Sequence, residues 1–207
     1  MGSGKTTAAR LVAKALGARL FEENFKENIF LPLYYKNPKR WAFHSQLFYL
    51  AKKAEQLGEI KNLLDRGENC VQDSPIYQDY LTYVKAQKML GYIGGSEFKV
   101  YDKIFRLLLL SLPSPDMIIQ LEGTPPILRK RVTKRGYGYE NKVKDEYLKL
   151  LSRLQKKWIA EQNLLNVLVV NTDALNFVDN AEDQKKFTLM VKDGIRRLPA
   201  PLSLRNK

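Results

Sequence analysis

Sulfur and imidazole are nearly absent from this chain: it has one cysteine, Cys70, and one histidine, His44, in 207 residues. That scarcity excludes a disulfide framework, a Cys/His metal site and a histidine-based catalytic relay. Chemistry here has to run on carboxylates, cations and backbone amides. Long apolar runs are lacking too, and none approaches the roughly 18 residues that cross a bilayer, which argues against an integral membrane protein. No cationic segment followed by an apolar one opens the sequence, so nothing in it directs export, and the composition reads as cytoplasmic. There is no internal repeat or low-complexity tract. Acidic residues are in deficit, 22 Asp+Glu against 35 Lys+Arg, and the net charge of +13 predicts attraction to a polyanion: nucleic acid, an anionic membrane or a phosphorylated small molecule.

What is present suits one α/β unit. At 207 residues, 44% of them hydrophobic, residues 1–197 are expected to form a single domain with at most a mobile lid, and 198–207 a loosely held, proline-containing tail. Apolar residues at helical spacing from Thr6 to Leu16, ending near Gly17, predict a helix with a glycine C-cap. Ala18–Phe21 reads as a short strand. From Pro38 to Arg66, Trp41, Phe43, Leu47, Leu50, Ala54 and Leu57 recur every three or four residues and predict a long helix that buries this face. Cys70 and Val71 read as a strand, and Tyr77–Met89 and Glu97–Leu112 as helices. Met117–Leu121 is expected to be a strand buried on both faces. Helices at Leu128–Lys134 and Glu146–Leu164 and a strand at Val167–Val170 complete the order. Strands alternating with helices imply right-handed βαβ units in a doubly wound parallel sheet flanked by helices, with binding groups at the carboxyl ends of the strands.

The first residues carry the sharpest motif. Gly2, Ser3, Gly4, Lys5 and Thr6, with Thr7 following, open a helix and form the second half of a phosphate-binding loop of the P-loop NTPase kind. In such a loop the glycines turn backbone N–H groups toward phosphates, the lysine reaches the β/γ oxygens and the hydroxyl serves Mg²⁺. The motif's opening glycine and the strand that feeds it would lie before Met1, so the first strand is expected to be missing from this sequence. Gly2 with Thr6 also fits the myristoylation pattern, which leaves Gly4, Lys5 and the helix unexplained. Glu22, Glu23 and Asn24 follow the strand at 18–21. A carboxylate there can accept a proton from a hydroxyl attacking a γ-phosphate; a solvated acidic turn is the plain alternative.

In this order the residues resemble the deoxynucleoside kinase family, and within it the bacterial deoxyadenosine/deoxyguanosine kinase-like branch, from Gly2 to about Phe177. The resemblance implies that Glu23 is the general base, that Tyr35 meets the sugar 3′-hydroxyl and that Gln46, in the run Trp41 to Gln46, reads the base. Tyr35, Trp41 and Phe43 would serve equally as helix core. In the stretch Gln72 to Asp79, Asp73 matches the family's acidic residue and Asp79 its base-reading carboxylate. Ser74 stands where the family has an arginine, and Lys53 is a nearby cation that could replace it. Arg131 to Glu140 resembles the arginine-containing lid, about 129–140. Arg131 and Arg135, one helical turn apart, would face the transferring phosphoryl group, and Glu140 would bind the 3′-hydroxyl. Tyr137 stands where a third arginine is common, and the bland reading of these cations is a solvated helix end. Asn171, Thr172 and Asp173, followed by Phe177, match the loop over the adenine of ATP.

The implied reaction moves the γ-phosphoryl of ATP, with Mg²⁺ at Thr6, to the 5′-hydroxyl of a deoxynucleoside, purines favoured, in a homodimer without a membrane. A thymidylate-like nucleoside monophosphate kinase is the second enzyme reading; it would need cations for the acceptor's own phosphate. A non-catalytic nucleotide- or nucleic-acid-binding relative would suit the charge. Against nucleic acid, the aromatic residues sit at helix-core spacing and do not interleave with a basic stripe.

Overall fold

Left-handed backbone at Gly4 (φ 85°, ψ 22°) and Gly17 (φ 60°, ψ 32°) frames the first helix, α1 (Lys5–Leu16), because glycine enters that region without a Cβ clash. The computed structural model describes residues 2–135, 144–162 and 166–198, with the side chain of Arg135 left aside. The expected roles of Arg135, Tyr137 and Glu140 and the tail at 199–207 therefore lie outside the described residues. Ala8, Ala9, Val12 and Ala13 form the buried face of α1.

Strand β1 (Arg19–Phe21) pairs in parallel with β2 (Cys70–Gln72), and β3 (Met117–Glu122) with β4 (Asn166–Asn171). The sequence predicts one doubly wound sheet; the described residues form two parallel pairs, with no strand bridging β2 and β3. Side chains join them instead. Val71 of β2 packs on a cluster of Ala8, Val12, Leu121, Val170, Phe177, Phe187 and Val191. The expected two-sided burial of β3 is also incomplete: Ile118, Gln120 and Leu121 are buried, Met117 and Ile119 only half-buried. Among the described residues β3 has a hydrogen-bonded neighbour on one edge alone.

Helix α2 (Leu31–Lys36), preceded by a 3₁₀ turn (Phe25–Glu27), occupies a stretch where no element was expected. The long helix α3 (Pro38–Leu64) starts with Pro38 in its first turn, where a missing N–H costs nothing, and Asn37 caps it by accepting from the Arg40 N–H. Its register corrects the expected one. Leu50 and Leu57 are buried, but Trp41, Phe43, Leu47 and Ala54 are half-exposed, and the buried line runs Ala42, Gln46, Leu50, Lys53, Leu57, Ile60. Polar side chains sit in the middle of that line because Gln46 lines a cavity there and Lys53 is paired with the Asp73 carbonyl and Glu23.

After β2 the expected single helix is three consecutive pieces: α4 (Ile76–Gln78), a π-helical segment (Asp79–Val84) and α5 (Lys85–Met89). Helix α6 (Gly95–Ser111) begins two residues before the expected start, since the Glu97 carboxylate accepts from the Gly94 N–H at 2.6 Å. Helices α7 (Pro125–Arg135), α8 (Asp145–Glu161) and α9 (Ala181–Arg196) follow. A second core, built on Phe21, Leu50, Ile76, Tyr80, Tyr101 and Phe105 among others, unites β1, α3, the π-helical segment and α6. No helix among the described residues is long and apolar enough to cross a membrane.

Candidate active site

The strands hand over polar residues at their carboxyl ends, where open α/β sheets bind ligands. Each pairing runs one residue further than its strands: the Asp73 N–H donates to the Phe21 carbonyl at 2.8 Å, and the Thr172 N–H to the Glu122 carbonyl at 2.7 Å. Glu23 follows β1 and Asp73 follows β2, so both acids leave neighbouring strands on the same side.

A cavity of about 480 Å³ lies there, lined by Lys5, Glu23, Tyr35, Gln46 and Asp79, within the size range of small-molecule sites. A second recess of about 30 Å³ beside Ser3, Gly123 and Gln155 has room for little more than a water or two. At the cavity's Lys5 end, α1 starts with no side-chain cap and no acidic residue in its first turn, so its amide dipoles are open to an anion. The loop before it is tightly seated. Gly2 has φ 71°, and a Cβ there would stand 2.7 Å from the Leu128 carbonyl oxygen; a Cβ on Gly4 would stand 3.0 Å from the Phe177 ring. Ser3 is buried. The Thr6 hydroxyl donates to the Asp73 carboxylate at 2.7 Å, and half-buried Thr7 lies one residue further along α1.

The two adjacent glutamates are separated by their partners. Glu22 accepts from Arg10 Nε and Nη2 at 2.5 and 2.8 Å, outside the cavity, and that hydrogen bonding holds its carboxyl below the usual range. Glu23 turns inward, with Oε1 3.4 Å from the buried Lys53 ammonium. Asp79 is fully enclosed in the π-helical segment, and burial, reinforced by the Glu23 charge and opposed by Lys53 and Lys5, pushes its carboxyl up to about 7. Burial also pushes the Tyr34 phenol in the cavity wall up to about 12. Among the described residues, three buried acceptors of this cavity's lining, Gln46 Oε1, Asp79 Oδ2 and Gln87 Oε1, have no partner. Buried acceptors left unpaired are costly, so the cavity is matched to a ligand that brings N–H donors.

Other expected residues stand apart. Arg131 donates to the Thr172 hydroxyl and carbonyl at 2.8 and 2.6 Å, beside the end of β4, and does not line the cavity. Asp173 accepts from the Thr124 N–H at 2.9 Å, tying the β4 and β3 loops. Phe177 lies in the turn after β4, as expected, and its ring is buried and stacked on Phe187 with ring centres 4.7 Å apart. Its large apolar ring fills the core beneath Gly4.

Sequence reasoning assigned no role to Gln56, which donates to the Glu22 carbonyl at 3.0 Å and accepts from Gln72 at 3.1 Å. It also left out Tyr34, Tyr83, Tyr92 and Tyr147, which line the same cavity. The signal for Gln56 was its position on α3, three residues after Lys53.

Comparison with known proteins adds three findings. The sequence profile described as deoxynucleoside kinase matches residues 1–196. The chain is 30% identical to deoxyguanosine kinase of Bacillus subtilis over 198 residues, 93% of each chain, and 28% identical to deoxyadenosine kinase of Lactobacillus acidophilus over 208 residues, 96% of this chain and 94% of that one. The solved structure of deoxyadenosine kinase from M. mycoides with bound dCTP has the same fold, with a TM-score of 0.80, 22% identity and 96% of each chain covered.

Proposed function

Since the chain belongs to the deoxynucleoside kinase family and is an ATP-dependent phosphotransferase, we propose that its acceptor is the 5′-hydroxyl of a purine deoxynucleoside. The observation that carries this reading is the gathering of Lys5, Glu23, Tyr35, Gln46 and Asp79 around one cavity. The 5′-oxygen bonds to the γ-phosphorus as the bond from that phosphorus to the β,γ-bridging oxygen breaks. Glu23 takes the hydroxyl proton, and ADP leaves with the bridging oxygen's electron pair. Lys5 and the amides of Gly2 to Thr7 hold the donor's phosphates. Arg131 and Arg135 in a lid at 129–140 close over the transferring group, Glu140 and Tyr35 hold the 3′-hydroxyl, and Asp173 borders the donor's adenine. Residues 1–197 are the kinase unit. Gln46 and Asp79 read the base, their unpaired acceptors meeting the amino hydrogens of adenine or the amino and imino hydrogens of guanine.

The Thr6 and Asp73 side chains, hydroxyl and carboxylate 2.7 Å apart, are hard oxygen donors of the kind Mg²⁺ takes alongside phosphates and water. When bound, the ion supplies charge neutralisation at the β and γ phosphates. Exposed Val100, Leu107 and Leu110 on α6 favour a homodimer, to be checked by sedimentation. The proposed location is the cytoplasm, a reducing compartment that suits the free Cys70.

The test is ADP formation with each of the four deoxynucleosides and with thymidine monophosphate. Turnover with deoxyadenosine or deoxyguanosine is the expected result. Preference for the monophosphate would favour the second enzyme reading. Silence from folded protein, with salt-sensitive oligonucleotide binding, would overturn the kinase assignment of the site.

A further inference from the structure

The described mechanism leaves one buried charge unused. The Lys53 side chain is 2% exposed, in the middle of the buried line of α3. A buried ammonium is expensive unless it is paired and hydrogen-bonded. Its Nζ donates to the Asp73 carbonyl at 3.1 Å and stands 3.4 Å from Glu23 Oε1. Glu23 and Asp79 line this end of the cavity with Asp73 close by, and Lys53 and Lys5 are the two cations that oppose the raised Asp79 carboxyl. In the proposed reaction Lys5 is committed to the incoming phosphates. Lys53 is then the cation that stays with the carboxylates.

We propose that Lys53 is a positioning residue that holds the Glu23 carboxylate in place to receive the acceptor's proton. This rests on the kinase reading of the cavity. The geometry gives it leverage: α3 carries Gln46 and Lys53 seven residues apart on one face, so a single rigid helix sets the base-reading amide and the clamp on the general base. Gln56, one turn beyond Lys53, fixes the Glu22 carbonyl next to Glu23. The backbone and the side chain of the β1 end are thus both tied to α3, and Lys53 touches the acid itself.

The experiment compares wild type, Lys53→Met, Lys53→Arg, Glu23→Gln and the Lys53→Met/Glu23→Gln double variant. Steady-state kinetics with deoxyadenosine and deoxyguanosine and urea midpoints are measured for each. Lys53→Met is expected to lower kcat about 10- to 100-fold with little change in nucleoside KM. Lys53→Arg keeps most of the wild-type rate, and the double variant is no slower than Glu23→Gln alone. In urea, Lys53→Met loses midpoint that the double variant recovers, because removing both charges leaves neither unpaired. Unchanged kcat in Lys53→Met, a loss confined to KM, or midpoints that simply add would overturn the proposal. If Lys53→Met does not fold, rescue by the double variant supports it and failure of that rescue overturns it. A wild type inert toward every deoxynucleoside overturns the kinase reading, and the urea cycle then still decides the Lys53–Glu23 pairing.

Discussion

Arg10 grips Glu22 with two nitrogens, Nε at 2.5 Å and Nη2 at 2.8 Å, and by doing so leaves its neighbour Glu23 as the carboxylate that faces the cavity. Successive residues past a strand end point in different directions, and a bidentate guanidinium clamp fixes which one points out. The two glutamates therefore respond differently to the same change. Glu23→Gln is expected to lower kcat about 10²- to 10⁴-fold, the usual worth of a general base, with nucleoside affinity retained by titration calorimetry. Glu22→Gln keeps kcat within a few-fold, since its partner is exposed and outside the cavity. Equal losses in both variants would mean that the acidic turn acts as a structural unit.

Asp79 links the site to pH. Its carboxyl, about 7 in the fold, binds its proton more tightly than in the unfolded chain, where an aspartate titrates near 4. The stability this proton confers is full below about pH 4 and is lost as pH rises toward 7, because the unfolded chain releases its proton first. Asp79→Asn removes the dependence. Relative to wild type, the variant's Tm is expected to be higher at pH 8 than at pH 5, by on the order of 5 °C. Scanning fluorimetry at the two pH values checks this, and an equal difference at both would show that Asp79 does not carry a raised carboxyl.

Much of this was readable in the sequence, and the misses share a cause. Helical spacing located α1, α3 and α6 within a few residues, and the short apolar runs located the four strands of the described residues, because periodicity reports which face is buried. It misread the centre of the α3 face. Gln46 and Lys53 count as surface residues in any apolar pattern, yet they occupy the middle of the buried line, Gln46 because it lines the cavity and Lys53 because it reaches the Asp73 carbonyl and Glu23. Periodicity also assumed a uniform helix after β2, and the π-helical segment that carries Asp79 and Tyr83 breaks that period. The resemblance already pointed to Glu23 over Glu22, but the physical reason, the clamp of Arg10 on Glu22, lies twelve residues earlier on a different element.

Gln46 offers a sharper test of base reading. Its side chain is 5% exposed and its Oε1 has no partner, so any hydrogen bond it makes to a ligand is fully desolvated. Gln46→Leu, close in size, is expected to cost about 1–3 kcal/mol of nucleoside binding, a rise in KM of roughly 10- to 100-fold. The KM for ATP is expected to stay the same, because the proposed site for the donor's phosphates is on α1 and not α3. A parallel rise in both KM values would place Gln46 in the general packing of the cavity wall.

The phosphate loop can be tested against an internal control. Gly4 and Gly17 bracket the same helix with the same left-handed backbone, φ 85° and 60°, so alanine at either position carries a similar backbone penalty of about 1–2 kcal/mol. Their surroundings differ. A Cβ on Gly17 meets nothing within 4 Å, whereas one on Gly4 presses on the Phe177 ring at 3.0 Å. Phe177 is locked in the core against Phe187, so the loop has to move and the ring does not. Both variants are expected to lose stability in urea, with Gly4→Ala losing more. Only Gly4→Ala should raise the KM for ATP, because only there does the displaced backbone carry the amides proposed to face the phosphates. If Gly17→Ala raises that KM as much, the loss reflects a weakened α1 as a whole, and the loop's assignment to phosphate binding fails.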